Sequence, residues 1–180
     1  MRALLISGST RSGSGSTAAL VTAAALAPGG ISTVLYSGLD TLPAFNPDHD
    51  GDRVPGPVSE LRQQIEAADA VLFCTPEYAG TLPGSFKNLL DWTVGGGQLN
   101  EKPVAWVNVA AANRGLGAQQ TLATVLGYVG AVVIESACRH IPVDRSAIGS
   151  DGIITDPGFA TGIAEVWNSL VRDAPAPRSP

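Results

Sequence analysis

Residues 3–17 read Ala3-Leu4-Leu5-Ile6-Ser7-Gly8-Ser9-Thr10-Arg11-Ser12-Gly13-Ser14-Gly15-Ser16-Thr17, and an Ala/Leu-rich segment follows. Ala3 to Ser7 is a short apolar run of the kind that fills a buried parallel strand. Gly8 ends it, and small residues with one arginine lead to a helix start. Small side chains let backbone N–H groups face a ligand, hydroxyls add donors, and Arg11 adds a fixed charge. The helix start contributes partial positive charge of its own. Ser9, Arg11, Ser14, Ser16 and Thr17 are therefore candidate phosphate ligands. A flexible Gly/Ser linker has the same composition. The place directly after an apolar first strand favours the phosphate cradle.

The loop lacks the Gly-Lys-Ser/Thr of a triphosphate-binding loop, which argues against an ATPase or GTPase. Gly13 to Ala18 matches the dinucleotide pattern G-x-G-x-x-A. In that fold the first glycine sits in the tight turn just after the strand. Gly13 stands five positions beyond Gly8, so the match is coincidental. A hydroxyl-lined loop suits a terminal phosphate monoester, which presents three strong acceptor oxygens. Flavin mononucleotide (FMN) ends in such a group.

A length of 180 residues and a hydrophobic content of 44% suit one domain with a sizeable core. The net charge of −5 argues against nucleic acid or an anionic membrane as partner. An anionic cofactor stays possible, because local donors outweigh charge beyond a Debye length of roughly 8–10 Å. The apolar stretch Ala18 to Ala27 is too short to span a bilayer. Ser7 to Thr17 interrupts any secretory pattern, so a cytoplasmic location is expected. Cys74 and Cys138 form no C-x-x-C, and neither a disulfide framework nor a thiolate metal site is expected. Asp48, His49, Asp50 and Asp52 match no calcium loop and read as a solvated acidic turn.

Along the chain, Ser16 or Thr17 can cap a helix over Ala18–Ala27, stopped by Pro28-Gly29-Gly30. Ile31–Tyr36 is β-branched and reads as a second strand. Ser37–Gly56 is a long loop, which in compact domains is usually functional or mobile. Pro57 can open a second helix, with Val58, Leu61, Ile65 and Ala68 on one face. Ala70–Cys74 is the third strand, and Pro83 starts a helix with Phe86, Leu89 and Leu90 inward. Val104–Val109 is the fourth strand. Leu122, Val125, Leu126 and Val129 mark the next helix, and Ala131–Ile134 a fifth strand. Residues 137–158 read as irregular. Phe159, Ile163, Val166, Trp167, Leu170 and Val171 line a last helix within a single domain over residues 1–173. The proline-rich tail from Ala174 to Pro180 is expected to be disordered.

Five strands alternating with helices predict an α/β fold: a doubly wound five-stranded parallel sheet with helices on both faces. Ligands of such sheets sit beyond the carboxyl ends of the strands. The loops Ser9–Thr17, Pro76–Leu82 and Ala111–Gly117 should meet there. Two prolines brace the second loop, and Gly80 lets its backbone turn. Pro76, Glu77, Tyr78, Ala79 and Gly80 can offer backbone groups, and a flat apolar face at Tyr78, to a ring system. A rigid turn with a half-buried tyrosine is the alternative. Glu77 has no second carboxylate or histidine beside it in sequence and is assigned no proton chemistry. Asn113, Arg114 and Gly115 resemble a further backbone-donor loop at a helix start, although Arg114 also reads as a plain surface charge.

The stretches GSTRSGSGSTAAL and PEYAGTLPGSFKNLLDW resemble the two signatures of the NADPH-dependent FMN reductase family, whose fold is flavodoxin-like. Gly8, Ser9, Arg11, Gly13 and Ser14 match the first signature, G-S-x-R-x-G-S-x-N. Pro76, Glu77, Tyr78, Gly80, Pro83, Gly84, Lys87, Asn88, Asp91 and Trp92 match the second, P-E-Y-N-G-S-x-P-G-x-x-K-N-x-x-D-W. NRGLGAQQTL is similar to the family's third, glycine-rich loop, with Leu116 where Gly is usual. Ser16 and Ala79 both stand where the family has Asn. The resemblance implies that the first motif binds the FMN phosphate and the other two hold the isoalloxazine. It implies hydride passing from NAD(P)H through the flavin to a small-molecule electron acceptor such as a quinone or free flavin. No side-chain acid or base is obligatory, because the cofactor carries the chemistry. A homodimer or homotetramer is expected on the same ground.

Two rivals remain at this level. A flavodoxin-type electron carrier shares the fold but has a Thr-rich phosphate loop without a central arginine. A serine hydrolase would need a G-x-S-x-G elbow, which is lacking. The two histidines, His49 and His140, show no catalytic setting, and His140 precedes Ile141-Pro142 as a structural residue would.

Overall fold

The structure, a computed structural model, describes residues 1–51 and 53–175. Asp52 and most of the tail expected to be disordered lie outside the described residues. The strands are β1 (Arg2–Ser7), β2 (Ser32–Tyr36), β3 (Ala70–Cys74), β4 (Pro103–Asn108), β5 (Val132–Val133) and β6 (Arg139–His140). The helices are α1 (Gly15–Ala25), α2 (Gly56–Glu66), α3 (Gly84–Asp91), α4 (Leu116–Tyr128) and α5 (Pro157–Asp173). All strand pairs are parallel, in the order β2-β1-β3-β4-β5, with β6 also on β4. This is the flavodoxin-like winding, whose direction reverses between β1 and β3.

Side chains that alternate along each strand divide the core into two layers. Ala3 and Leu5 of β1, with Leu72 and Cys74 of β3, face α1 and α5. Leu4 and Ile6, with Val71 and Phe73, face α2, α3 and α4. Both faces are covered, which is why β3 is buried at every position. Each fully buried Leu or Ile contributes about 1.5–3 kcal/mol. On the α5 side, Trp167 is buried, and its indole N–H donates to the Ala23 carbonyl at 3.0 Å.

Three local expectations need correction. Helix α1 starts at Gly15, because Ser14 is its N-cap and accepts the Thr17 N–H at 3.1 Å. Ser16 and Thr17 lie inside the first turn. The expected fifth strand shrinks to Val132–Val133. A short 3-10 turn over Glu135–Ala137 follows, and the register on β4 advances by three residues before β6 resumes. The segment after Ala137 is therefore more ordered than its sequence suggests. It holds β6, a 3-10 turn at Arg145–Ala147, and a bridge between Ile148 and Ile154.

The long loop after β2 is latched by residues of the second motif. Asn88 donates to the Pro43 carbonyl and accepts the Phe45 N–H, and the Trp92 indole N–H also donates to Pro43. Phe45 meets the Trp92 ring edge-on at 4.9 Å. Arg62 binds the Trp92 carbonyl and pairs with Asp50. Asn88 and Trp92 thus act as struts, and Asp50 is committed to an ion pair.

Candidate functional site

The strand order sets β1, β3 and β4 side by side. Their carboxyl ends therefore present three adjacent loops, residues 8–14, 75–83 and 109–115. The first two flank the point where the winding reverses.

The first loop is organised by hydroxyls. Thr17 Oγ1 lies 2.9 Å from Ser7 Oγ and accepts from Ser14 Oγ at 2.9 Å. Ser7 Oγ also accepts the Ser9 N–H, and Ser9 Oγ accepts the Arg11 N–H. Each small side chain turns the backbone back on itself and leaves the loop wrapped over the start of α1. Arg11 is exposed, and among the described residues its guanidinium forms no ion pair. Ser16 points inward: it is buried and hydrogen-bonds the Cys74 thiol. Of the first-loop candidates, Ser9, Arg11, Ser14 and Thr17 gather on one rim, and Ser16 adds only its backbone.

The second loop is a tight hairpin. Tyr78 and Thr81 exchange backbone hydrogen bonds of 3.0 and 3.1 Å around Ala79 and Gly80. Both central residues have positive φ, 51° and 77°, as a type I′ turn requires. Pro76 lies half-buried before the turn, and Tyr78 is exposed beyond it.

The second and third loops are fastened together. Glu77 Oε2 accepts the Gly117 N–H at 2.7 Å and the Ala118 N–H at 3.1 Å, capping α4. Thr81 and Thr121 join hydroxyls at 2.9 Å. A Cβ on Gly117 would come within 2.0 Å of the Gly80 carbonyl oxygen, so only glycine allows this approach. Within the third loop, buried Asn108 accepts the Ala110 N–H and donates to the Arg114 carbonyl, both at 2.9 Å. Asn113 and Arg114 are exposed and Gly115 is buried at the start of α4. His140 Nε2 sits 2.8 Å from the Ala110 carbonyl oxygen, where it fastens this loop to β6.

Ser7 and Asn108 are organising residues that sequence reasoning missed. Each is a polar residue that ends an otherwise apolar strand, and that pattern was the available signal. Desolvation pushes the Cys74 thiol up to about 12 and the Cys138 thiol up to about 11. Neither is a nucleophile near neutral pH. A concavity of about 980 Å³ opens at the opposite end of the sheet, between Asp69, Lys102 and Val171. Its polar groups already have partners: Lys102 donates to the Ala68 carbonyl, and Asp69 accepts the Arg2 N–H.

The profile of the NADPH-dependent FMN reductase family matches residues 1–144. An NAD(P)H-dependent FMN reductase of Pseudomonas aeruginosa is 45% identical over 92 residues, covering 51% of this chain and 49% of that protein. A 2-hydroxy-1,4-benzoquinone reductase of a Burkholderia species is 35% identical over 121 residues, 63% of each chain. The chain thus spans between about half and just under two thirds of these relatives' lengths. Among solved structures, the flavoenzyme FerB of Paracoccus denitrificans, an NAD(P)H:(acceptor) oxidoreductase, superposes with a TM-score of 0.82. The identity is 27%, and 95% of this chain and 97% of FerB are covered. A matching profile across four fifths of the chain, the winding order and both quoted motifs at their expected loops agree: this chain belongs to the NADPH-dependent FMN reductase family.

Proposed function

We propose that the protein is an NAD(P)H-dependent oxidoreductase that holds FMN across the three loops and reduces a small acceptor such as a quinone or free flavin. The observation that carries this reading is the joining of the second and third loops by Glu77, beside a hydroxyl-rich first loop whose Arg11 forms no ion pair among the described residues. The donor set fits a phosphate monoester. The rim offers hydroxyls at Ser9, Ser14 and Thr17, the start of α1, and the Arg11 charge. The fastened loops, with the Tyr78 face, would hold a flat ring at the carboxyl ends of β3 and β4. Bound flavin supplies the hydride-accepting and hydride-donating chemistry. The chain positions the ring, and backbone N–H groups of the two loops meet negative charge that develops on it.

This reading extends to a cytoplasmic enzyme with residues 1–173 as one unit, forming a homodimer or homotetramer. Among the described residues no helix is long and apolar enough to cross a membrane. Exposed Tyr78 and Leu116 supply apolar surface for a second copy beside the loops. NAD(P)H oxidation followed at 340 nm with FMN and a benzoquinone tests the activity. Turnover that needs both nucleotide and FMN supports it; flavin binding without NAD(P)H oxidation would point to an electron carrier.

A further inference from the structure

Three consecutive carbonyl groups at the end of β4 turn to the same neighbouring segment. The Asn108 carbonyl accepts the Ile141 N–H at 2.8 Å, and the Val109 carbonyl accepts the Val143 N–H at 3.2 Å. The Ala110 carbonyl oxygen lies 2.8 Å from His140 Nε2. In a regular strand successive carbonyls point to opposite neighbours, so the chain leaves the strand pattern here. A carbonyl oxygen only accepts, and Nε2 therefore carries the proton that faces Ala110. The first two bonds are made by main chain, whatever the side chains. The third depends on the imidazole of an exposed residue.

In a planar trans peptide the C=O of one residue and the N–H of the next point in opposite directions. The N–H groups of Val109, Ala110 and Ala111 therefore face away from residues 140–143. Strand β4 runs between β3 and β6, so they face the turn after β3, which Glu77 fastens to α4. Asn108 Oδ1 accepts the Ala110 N–H at 2.9 Å. The Val109 and Ala111 N–H groups meet no protein acceptor among the described residues. Ala111 is exposed, whereas Val109 is half-buried. Neighbouring N–H groups on one side of the chain form a seat for negative charge.

We propose that His140 is a positioning residue for the flavin ring: by holding the Ala110 carbonyl, it aims the Ala111 N–H at the ring's polar edge, where negative charge gathers on reduction. The inference rests on the reading that FMN lies across the three loops. Without the imidazole, the Ala110–Ala111 peptide can rotate and turn its carbonyl dipole toward the ring, which opposes that charge. A hydrogen bond strengthens as its acceptor gains charge. The hold of His140 therefore favours the reduced ring over the oxidised one. His140 itself touches no reacting atom.

The test compares wild type, His140→Phe and His140→Gln, with folding checked by circular dichroism. Phenylalanine keeps a ring without a donor, and glutamine keeps an N–H that can reach the same carbonyl. FMN affinity is measured by fluorescence titration, and the two-electron midpoint potential of the bound flavin by equilibration with a redox dye. In His140→Phe, affinity for reduced FMN is expected to fall about tenfold more than affinity for oxidised FMN. The midpoint potential then drops by about 30 mV, the equivalent of tenfold for two electrons. His140→Gln is expected to restore most of that difference. A purely structural histidine would weaken both oxidation states equally and leave the potential where it was. An unchanged potential in His140→Phe therefore overturns the proposal, as does a His140→Gln protein no closer to wild type than His140→Phe. A wild type that binds no FMN overturns the proposed function and this inference with it; an unchanged potential in a protein that binds FMN overturns the inference alone.

Discussion

Glu77 and Gly117 come from different loops, and the carboxylate of the first accepts the backbone N–H of the second at 2.7 Å. This contact makes the turn after β3 and the start of α4 one unit. The carboxylate satisfies two N–H groups that a helix start otherwise leaves open, and its charge complements the helix dipole.

Glu77→Ala removes the cap and is expected to lower unfolding stability by about 1–2 kcal/mol. FMN affinity should fall as well, because the two loops then move independently. Glu77→Gln keeps an acceptor oxygen and should lose less of both. Urea unfolding and flavin titration of the two variants check this. Equal losses in both would mean that the charge matters and the hydrogen bonds do not.

Ala79 sits at φ 51°, a region that costs an L-residue with a Cβ about 1–2 kcal/mol and that Gly and Asn adopt readily. Ala79→Gly and Ala79→Asn are therefore expected to stabilise the protein by about 0.5–1 kcal/mol, seen as a Tm rise of about 1–4 °C. A Tm at or below wild type for both variants would show that the turn relaxes around alanine without strain.

Arg11→Ala should weaken FMN binding about ten- to a hundredfold, the worth of one charge-assisted hydrogen bond discounted for remaining donors. Riboflavin, which lacks the phosphate, should be nearly unaffected. Turnover at saturating FMN should recover, since the rim is remote from a ring held by the other two loops. Parallel losses for both flavins would place Arg11 elsewhere in the site.

Cys74 is raised from 9.0 to about 12 by burial. Folding therefore favours the neutral thiol, and the unfolded chain ionises first. Its contribution is complete below about pH 9 and is lost as pH rises from there toward 12, by at most about 1.4 kcal/mol per pH unit. Urea unfolding at pH 8 and pH 10 should show lower stability at pH 10. The difference should shrink in Cys74→Ala, whatever that variant's absolute stability. An unchanged difference would locate the alkaline sensitivity in other groups.

Much of the fold was legible in the sequence because its signals are local. Ala3–Ser7 and Ala70–Cys74 are apolar runs long enough to mark buried strands, and proline or glycine brackets the helices between them. The hydroxyl-rich loop after β1 announced itself by composition and position, and the second signature motif marked the turn after β3. Tertiary structure decided what no window of sequence holds. Thr17 could have capped α1, but the Ser14 hydroxyl reaches the Thr17 N–H first, and Ser16 then faces the core at Cys74. Glu77 was read with the ring-binding loop; its partners lie forty residues onward, at Gly117 and Ala118. Asn88 and Trp92 belong to a binding signature, yet they hold the loop after β2. The β5 edge broke because a 3-10 turn at Glu135–Ala137 shifts the register on β4. Strand and helix identity follow from side-chain periodicity along the chain. The partner of a buried or capping polar group follows from which backbone donors and acceptors the assembled sheet brings near it, and only the packed molecule specifies those.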